Sequence, residues 1–356
     1  MKIKIKRNFI LGIILSLTIV GGLISQLMYS SAYDNSVRKL IGSDRYATAV
    51  ELSKKQFASS NVACIVNGNA IADGLTITPL ATYYKAPVLL SHNGRLPEST
   101  KEELLRLKTK KVFIGGSNDV VSDNVVNELK SLGVSEVIRL GGVDRYDTAL
   151  EIAKYLDENC FPVKNIIVAY GYGEADSLSI SSVAGSNQMP IILTQKDKMK
   201  QNVYEWLKSK DLDDAYIIGS EGVVSNQIMN DVASITSKDI SNNRLGGKDR
   251  YETNAKVIER FYPQKLTEAY VTKGLDNYLI DALSAGAIAS LNNAPVILLN
   301  NSKNINSLQE EVLSSKSSNV LYEVGGGLNP VAVEKVRDLL VGEEDTEMPE
   351  SPKGNY

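Results

Sequence analysis

The chain has 356 residues and a formal net charge of −3, and 43% of it is hydrophobic and 23% charged, which are the proportions of an ordinary globular protein. A single His and two Cys are too few for a Cys/His zinc site or a disulfide framework. The composition therefore excludes much metal and thiol chemistry, and we predict no metal and no cofactor.

The N-terminal segment differs from the rest of the chain. Four basic residues among the first seven precede a nearly uncharged apolar run from Phe9 to Met28, and small residues follow. This pattern is typical of a secretory signal peptide, so we expect residues 1–32 to be removed and the mature chain to begin at Tyr33. The apolar run is long for a signal peptide, and an uncleaved membrane anchor is the alternative.

The charge of the remaining chain limits its partners. Without residues 1–32 the net charge is −7, of which the acidic tail from 341 to 356 carries −4. Nucleic acids and anionic membranes usually bind a clearly basic surface, so we predict neither as a partner of the mature protein. The tail contains two Pro residues and no apolar face, which favours disorder.

Three copies of one unit follow the N-terminal segment. They begin with KLIGSDRYATA at Lys39, RLGGVDRYDTA at Arg139 and RLGGKDRYETN at Arg244. Each copy continues into a small-residue helix and an apolar strand, with the same spacing of 14 residues from an Asp to a Pro. We predict domains over 37–136, 137–241 and 242–340, with the disordered tail after them.

Within each unit, short runs rich in Val, Ile and Leu alternate with amphipathic stretches. This alternation predicts an α/β fold in which helices bury both faces of parallel strands. Because no long linker separates the units, we expect one compact, monomeric body with pseudo-threefold symmetry.

The first motif of each copy contains an Asp followed by an Arg. The Asp residues occupy positions where a helix N-cap is wanted: Asp44, Asp144 and Asp249. A cation in the first helical turn opposes the helix dipole, so the Arg residues require an anionic partner. That partner is either a carboxylate of the neighbouring repeat or a phosphate of a ligand. The Arg residues are Arg45, Arg145 and Arg250.

Two further sets complete the candidate ligand-binding residues. The Tyr after each Arg either packs against the next unit or offers a flat face to a sugar ring: Tyr46, Tyr146 and Tyr251. A later Asp in each copy lies at the carboxyl end of a strand, where open α/β sheets bind ligands, unless it simply caps a helix. These are Asp73, Asp176 and Asp281. We add Arg139 and Arg244, which begin the second and third copies.

Together the R-L-x-G-x-D-R-Y-x-T-A, A-D-x-L-S and P-V/I-x-L segments resemble the clostridial type 2 cell-wall-binding repeat, over residues 37–340. The resemblance implies a Toprim-like or Rossmann-like fold per repeat and a triangular pseudo-trimer. It also implies noncovalent attachment to an anionic secondary polymer of the Gram-positive cell wall, with other cell-wall or S-layer proteins as further candidate partners. In the family a Pro-Ile-Leu-Leu strand is tied to anchoring. Its counterparts here are Pro87–Leu90, Pro190–Leu193 and Pro295–Leu298.

Copy one departs from the pattern at its start, with Lys39 and Ile41 where the other copies have Arg and Gly. We therefore expect its ligand groove to differ most from the other two.

Signals for catalysis are weak. The lone His92 falls in a polar loop without a positioned nucleophile, and no paired D-x-D of the kind that holds magnesium in Toprim enzymes accompanies the later Asp residues. We predict a noncatalytic, secreted surface protein. The alternative is a secreted cell-wall hydrolase, or a modifier of one, with a site between repeats around Asp176, Glu174 and Tyr170.

Overall fold

The computed structural model describes residues 37–341. The predicted signal peptide and the predicted tail beyond residue 341 lie outside the described residues. Within 37–341, no helix has both the length and the apolar character that a membrane crossing requires.

Strands and helices alternate along all three repeats. The first repeat contains β1 Val37–Leu40, α1 Arg45–Gln56, β2 Val62–Asn67, α2 Ile71–Tyr83, β3 Val88–Ser91, α3 Glu98–Leu107, β4 Lys111–Gly115 and α4 Asp123–Ser131. The second contains β5 Glu136–Leu140, α5 Arg145–Asn159, β6 Asn165–Tyr170, α6 Glu174–Ser179, α7 Ser181–Ser186, β7 Ile191–Thr194, α8 Gln201–Lys208, β8 Asp214–Ile218 and α9 Asn226–Ala233. The third contains β9 Arg244–Leu245, α10 Arg250–Phe261, β10 Lys265–Leu266, β11 Ala269–Lys273, a 3-10 turn Asp276–Tyr278, α11 Leu279–Leu291, β12 Val296–Leu299, α12 Ser307–Ser314, β13 Ser317–Ser318, β14 Leu321–Val324 and α13 Pro330–Val341.

The strands of the described range form three four-stranded parallel sheets and one short two-stranded pair. The sheet orders are β3-β2-β4-β5, β7-β6-β8-β9 and β12-β11-β14-β1. Parallel strands need crossover connections, and the helices between them cover both sheet faces. The predicted α/β fold is confirmed.

The first strand of each repeat belongs to the sheet of another repeat. Strand β5 extends the first sheet, β9 extends the second, and β1 returns to extend the third by pairing Val37 with Leu321 and Leu40 with Val324. The three repeats therefore close into a ring by strand exchange. The predicted boundary between 136 and 137 falls inside β5, and the domain limits stay predictions.

Helices α2, α7 and α11 pack against one another along the pseudo-threefold axis. Small residues allow this close approach, since a Cβ on Gly185 would lie 2.3 Å from Thr82 Oγ1 and 2.7 Å from Ser290 Cβ. The hydroxyls of Thr82 and Ser290 are themselves 2.5 Å apart. The predicted compact, pseudo-threefold body is confirmed.

The strands that follow Pro87, Pro190 and Pro295 are core elements. All four residues of β3, β7 and β12 are buried, and each Pro carbonyl accepts a hydrogen bond from the neighbouring strand at 2.9–3.0 Å. Cys64 is buried in β2 and Cys160 is half-buried at the end of α5, and both are free thiols.

Candidate functional site between the repeats

The motif at the start of each repeat forms a strand, a tight turn and the first turn of a helix. Each Asp side chain accepts hydrogen bonds of 2.8–3.0 Å from backbone N–H groups of that first turn. The N-cap prediction is therefore confirmed for Asp44, Asp144 and Asp249.

The Arg after each Asp reaches a loop of its own repeat. Its guanidinium donates to the carbonyl oxygen of the Gly that follows β2, β6 or β11. The distances are 2.8 Å from Arg45 to Gly68, 2.5 Å from Arg145 to Gly171 and 2.8 Å from Arg250 to Gly274. A side-chain oxygen on the same loop is the second acceptor, on Asn69, Glu174 and Asp276 respectively. The hydrogen-bond acceptors lie within the same repeat, and each Arg also interacts electrostatically with an Asp of the adjoining repeat. Contact with phosphate stays a prediction.

The Tyr after each Arg packs on the same Gly. A Cβ added to Gly68, Gly171 or Gly274 would lie 2.7–2.9 Å from Cε1 of the corresponding Tyr. Each ring therefore packs within its own repeat, and packing against the next unit stays a prediction. Tyr46 and Tyr146 are only 9% and 5% exposed, and Tyr251 is half-buried. Sugar stacking on these rings stays a prediction.

The later Asp residues lie in the first turn of α2, α6 and α11. Each of these helices begins two residues before its Asp and is preceded by a residue without a side-chain cap. The N-cap interpretation is therefore wrong for Asp73, Asp176 and Asp281.

These three carboxyl groups instead face the next repeat around the ring. Burial raises the pKa of Asp73 and of Asp281 to about 6, and it also raises the pKa of Asp176. An Arg from the adjoining repeat opposes each shift: Arg145 for Asp73, Arg250 for Asp176 and Arg45 for Asp281. The structure thus brings the predicted Asp and Arg residues together across all three junctions.

Arg139 and Arg244 connect each repeat to the one before it. The guanidinium of Arg139 donates to three carbonyl oxygens of residues 116–121, with a shortest distance of 2.6 Å to Val121, and to Asp123 at 3.1 Å. Arg244 makes the corresponding bonds, including 2.7 Å to Val224 O and 3.2 Å to Asn226 Oδ1. These contacts hold the repeats together, while a role in ligand binding stays a prediction for both residues.

Grooves lie at the two junctions formed along the chain. The groove between the first and second repeats has a volume of about 210 Å³, and Asp73, Asp144, Arg145 and Glu174 supply its charges. The groove between the second and third repeats has about 440 Å³. Its charged residues are Glu174, Asp176, Lys248, Asp249, Arg250 and Asp276. Carboxylates outnumber cations in both grooves, so neither is a simple basic trough.

The residues of the hydrolase alternative do not share one site. Glu174 and Asp176 line the 440 Å³ groove, whereas Tyr170 lines an adjacent cavity of about 540 Å³. Glu174 is paired with Arg145 at 3.3 Å. His92 bonds through Nδ1 to the Tyr46 hydroxyl at 2.9 Å. Among residues 37–341 there is no group of three or more His, Cys, Asp or Glu side chains arranged to hold a metal ion.

Sequence reasoning missed Tyr172, which is 64% exposed and lines both the 440 Å³ groove and the 540 Å³ cavity. Its signal in the sequence was the Gly-Tyr-Gly of residues 171–173, where the other two repeats have Asn69 and Leu275 after the corresponding Gly.

The model of the cell wall binding domain 2 (CWB2) family matches three segments, 39–126, 139–229 and 244–334. The N-acetylmuramoyl-L-alanine amidase LytC of Bacillus subtilis is 30% identical over 312 residues, which are 87% of this chain and 60% of LytC, and the match runs through the binding repeats. The amidase enhancer of the same organism is 29% identical over 73% of this chain and 34% of its own length.

Two solved structures from Clostridium difficile share the architecture. Cwp6 superposes with a TM-score of 0.82 at 40% identity and covers 86% of this chain and 48% of its own. Cwp8 superposes with a TM-score of 0.78 at 35% identity and covers 91% of this chain and 55% of its own. The chain thus spans between about a third and three fifths of each of these four relatives.

Three matched segments cover most of the chain, and the relatives share its ring of repeats. The chain therefore belongs to the CWB2 family of cell wall binding domains and is a protein of the cell wall or cell surface.

Proposed function

We propose that this chain anchors noncovalently, and without catalysis, to an anionic secondary polymer of the Gram-positive cell wall through the grooves between its repeats. The observation that carries the proposal is the composition of those grooves. Motif residues of two adjoining repeats line each one, including an Asp from one repeat and an Arg from the next. A site built from shared motif residues can be repeated around the ring and can bind a polymer at more than one point.

The groove chemistry suits a saccharide that carries scattered anionic groups. Carboxylates and loop carbonyls accept hydrogen bonds from sugar hydroxyls, and half-buried Arg side chains donate to phosphate or carboxylate groups. The excess of acidic groups opposes long-range attraction of a polyanion. Affinity then comes from directional contacts summed as avidity over the grooves, and high salt weakens binding only moderately.

The similarity to an amidase and to an amidase enhancer supports a role beside enzymes that act on the wall. In this proposal the chain contributes the wall-binding part of such a system and acts as a monomer, with other cell-wall or S-layer proteins as additional partners.

Sedimentation with C. difficile cell walls tests the proposal. Walls are compared before and after hydrofluoric acid extraction, which cleaves phosphodiester bonds. We expect saturable binding to intact walls and loss of most binding after extraction, with no release of fragments from labelled walls. Equal binding to extracted walls would contradict the polymer as ligand, and steady fragment release would favour the hydrolase alternative.

A further inference from the structure

The ring of Tyr172 is contacted by Arg145 and by two other Tyr rings and is otherwise exposed. The Arg145 guanidinium carbon lies 4.1 Å from the ring centroid, a cation–π contact that fixes the ring orientation. The rings of Tyr170 and Tyr146 meet it at interplanar angles of 59° and 72°, so neither stacks on its face. The side chain nevertheless remains 64% exposed, which leaves a fixed aromatic surface in contact with solvent.

The position of this ring is particular to the second repeat, although the third repeat has Tyr278 later in the corresponding loop, 43% exposed and with the Lys273 ammonium 4.0 Å from its ring centroid. The residue that follows the corresponding Gly is Asn69 in the first repeat and Leu275 in the third. Folding alone does not require an aromatic residue here, because the Gly–Arg–Tyr packing forms in all three repeats. The exposed ring of Tyr172 is therefore not a requirement of the repeated fold.

Tyr172 lines two concave surfaces that carry cations beside carboxylates. The carboxylates are Glu174, Asp176, Asp249 and Asp276 in the 440 Å³ groove, and Asp144 and Asp197 in the 540 Å³ cavity. The 440 Å³ groove contains Lys248 and Arg250, and the Lys248 side chain is 90% exposed. The 540 Å³ cavity on the other side contains Lys196 and Lys198. A chain that crosses the Tyr172 ring would meet an exposed cation on either side.

We propose that Tyr172 is a stacking platform for a sugar ring of the wall polymer. The C–H face of a pyranose is apolar and flat, so it pairs with an exposed aromatic ring, while the flanking Lys side chains bind anionic groups on neighbouring units. A pre-oriented ring loses little conformational freedom on binding. The second repeat thus supplies the most specific contact, and this inference rests on the proposed attachment to the polymer.

The test compares Tyr172→Ala and Tyr172→Phe in the full mature protein, with intact and hydrofluoric-acid-extracted C. difficile walls as probes. We expect Tyr172→Ala to weaken binding to intact walls about fivefold to tenfold and Tyr172→Phe to retain nearly all of it, because the ring and not the hydroxyl stacks. Tyr83→Ala is the matched control, since Tyr83 is 39% exposed and lines neither cavity.

Thermal unfolding of the Tyr172 variants accompanies the binding assay. We expect both to melt within about 2 °C of the wild type, as for most surface substitutions. Wild-type affinity of folded Tyr172→Ala for intact walls overturns the stacking proposal while leaving polymer attachment standing. Failure of the wild type itself to distinguish intact from extracted walls contradicts polymer attachment instead. Loss of affinity in Tyr172→Phe equal to that in Tyr172→Ala would show a hydroxyl contact and also overturn stacking.

Discussion

The two junctions formed along the chain differ from the junction that closes the ring. Where repeats follow each other in sequence, Gly141 and Gly246 touch the backbone of the preceding repeat, because a Cβ there would lie 2.2–2.3 Å from a carbonyl carbon. Arg139 and Arg244 then bind several carbonyl oxygens beside it. At the closing junction the same positions are Ile41, which is 37% exposed, and Lys39, whose ion pair with Glu323 spans 3.7 Å.

The closing junction has contacts of its own further along α1. Lys55 pairs with Glu268 at 2.8 Å and bonds to the Tyr270 hydroxyl at 2.6 Å, and the Lys55 and Glu268 side chains are only 15% and 12% exposed. Gln56 and Asn292 exchange side-chain hydrogen bonds beside this pair. One repeated fold therefore uses two chemistries: close backbone packing with an Arg where the chain is continuous, and a shielded ion pair where two distant segments meet. Copy one, whose start departs from the other two, is the copy that forms the closing junction.

The largest expected effect comes from filling the backbone contact. Replacing Gly246 by Ala should lower the free energy of unfolding by about 3 kcal/mol. The added methyl group would clash with backbone atoms of the preceding repeat, which can move only if the surrounding chain moves with them. The matched change Ile41→Ala at the closing junction should cost less than about 1 kcal/mol, since that side chain is partly exposed. Urea unfolding measures both changes in the free energy of unfolding. Equal losses in the two variants would contradict the proposed difference between the junctions.

Breaking the shielded ion pair should specifically weaken the closing junction. Glu268→Gln removes the negative partner of the largely buried Lys55 ammonium. It should lower the free energy of unfolding by about 2–3 kcal/mol. The control is Asp211→Asn, which removes the partner of Lys164 from a pair whose side chains are 43% and 88% exposed and should cost less than about 0.5 kcal/mol. Hydrogen exchange at β1 should rise in the first variant only, and unchanged protection there would count against ring closure by this pair.

The junction carboxyls should make stability depend on pH. Burial raises the pKa of Asp73 and Asp281 from 3.8 to about 6, so the folded protein binds more protons than the unfolded chain between those values. Each group therefore lowers the free energy of unfolding as pH rises from about 4 to about 6, by on the order of 2 kcal/mol.

Asp73→Asn and Asp281→Asn should each remove one such contribution. Melting curves at several pH values should show that each variant gains stability relative to the wild type as pH rises from about 4 to about 6. The variant should keep this gain at higher pH. Parallel pH profiles for variant and wild type would contradict the raised pKa of these groups.

A smaller effect should separate the two cations that begin the repeats. Arg139→Ala removes bonds to three carbonyls and to Asp123 and should cost about 1–2 kcal/mol. Lys39→Ala removes one long ion pair from a side chain that is 69% exposed and should cost less than about 0.5 kcal/mol. Comparable urea midpoints for the two variants would show that the Arg139 contacts stabilise the protein no more than the Lys39 ion pair does.

The sequence predicted the elements that depend on local pattern. Apolar runs and N-capping Asp residues are local signals, and they led to the α/β repeats and to the correct role for Asp144. The exchange of β5 between repeats could not be predicted, because an apolar strand carries no mark of which sheet it will join. The cap assignment of Asp73 failed because its helix begins two residues earlier, without a side-chain cap.

Candidate binding residues were harder to predict for a related reason. Residues that all three copies share were the natural candidates for binding. One of them, Tyr146, is buried and packs within its own repeat. Tyr172 occurs in one copy only, so that comparison passed over it. Its exposure and its position between two cavities depend on how the repeats meet in three dimensions.

The most direct test of polymer binding between the repeats is hydrogen exchange of the mature protein with and without polymer released from C. difficile walls. We expect protection of residues 69–73 and 142–148 at one junction, and of 172–176 and 247–250 at the next, with the strongest change around Tyr172. Protection confined to the outer helices α3, α4, α8 and α9, with no change in those four segments, would contradict it.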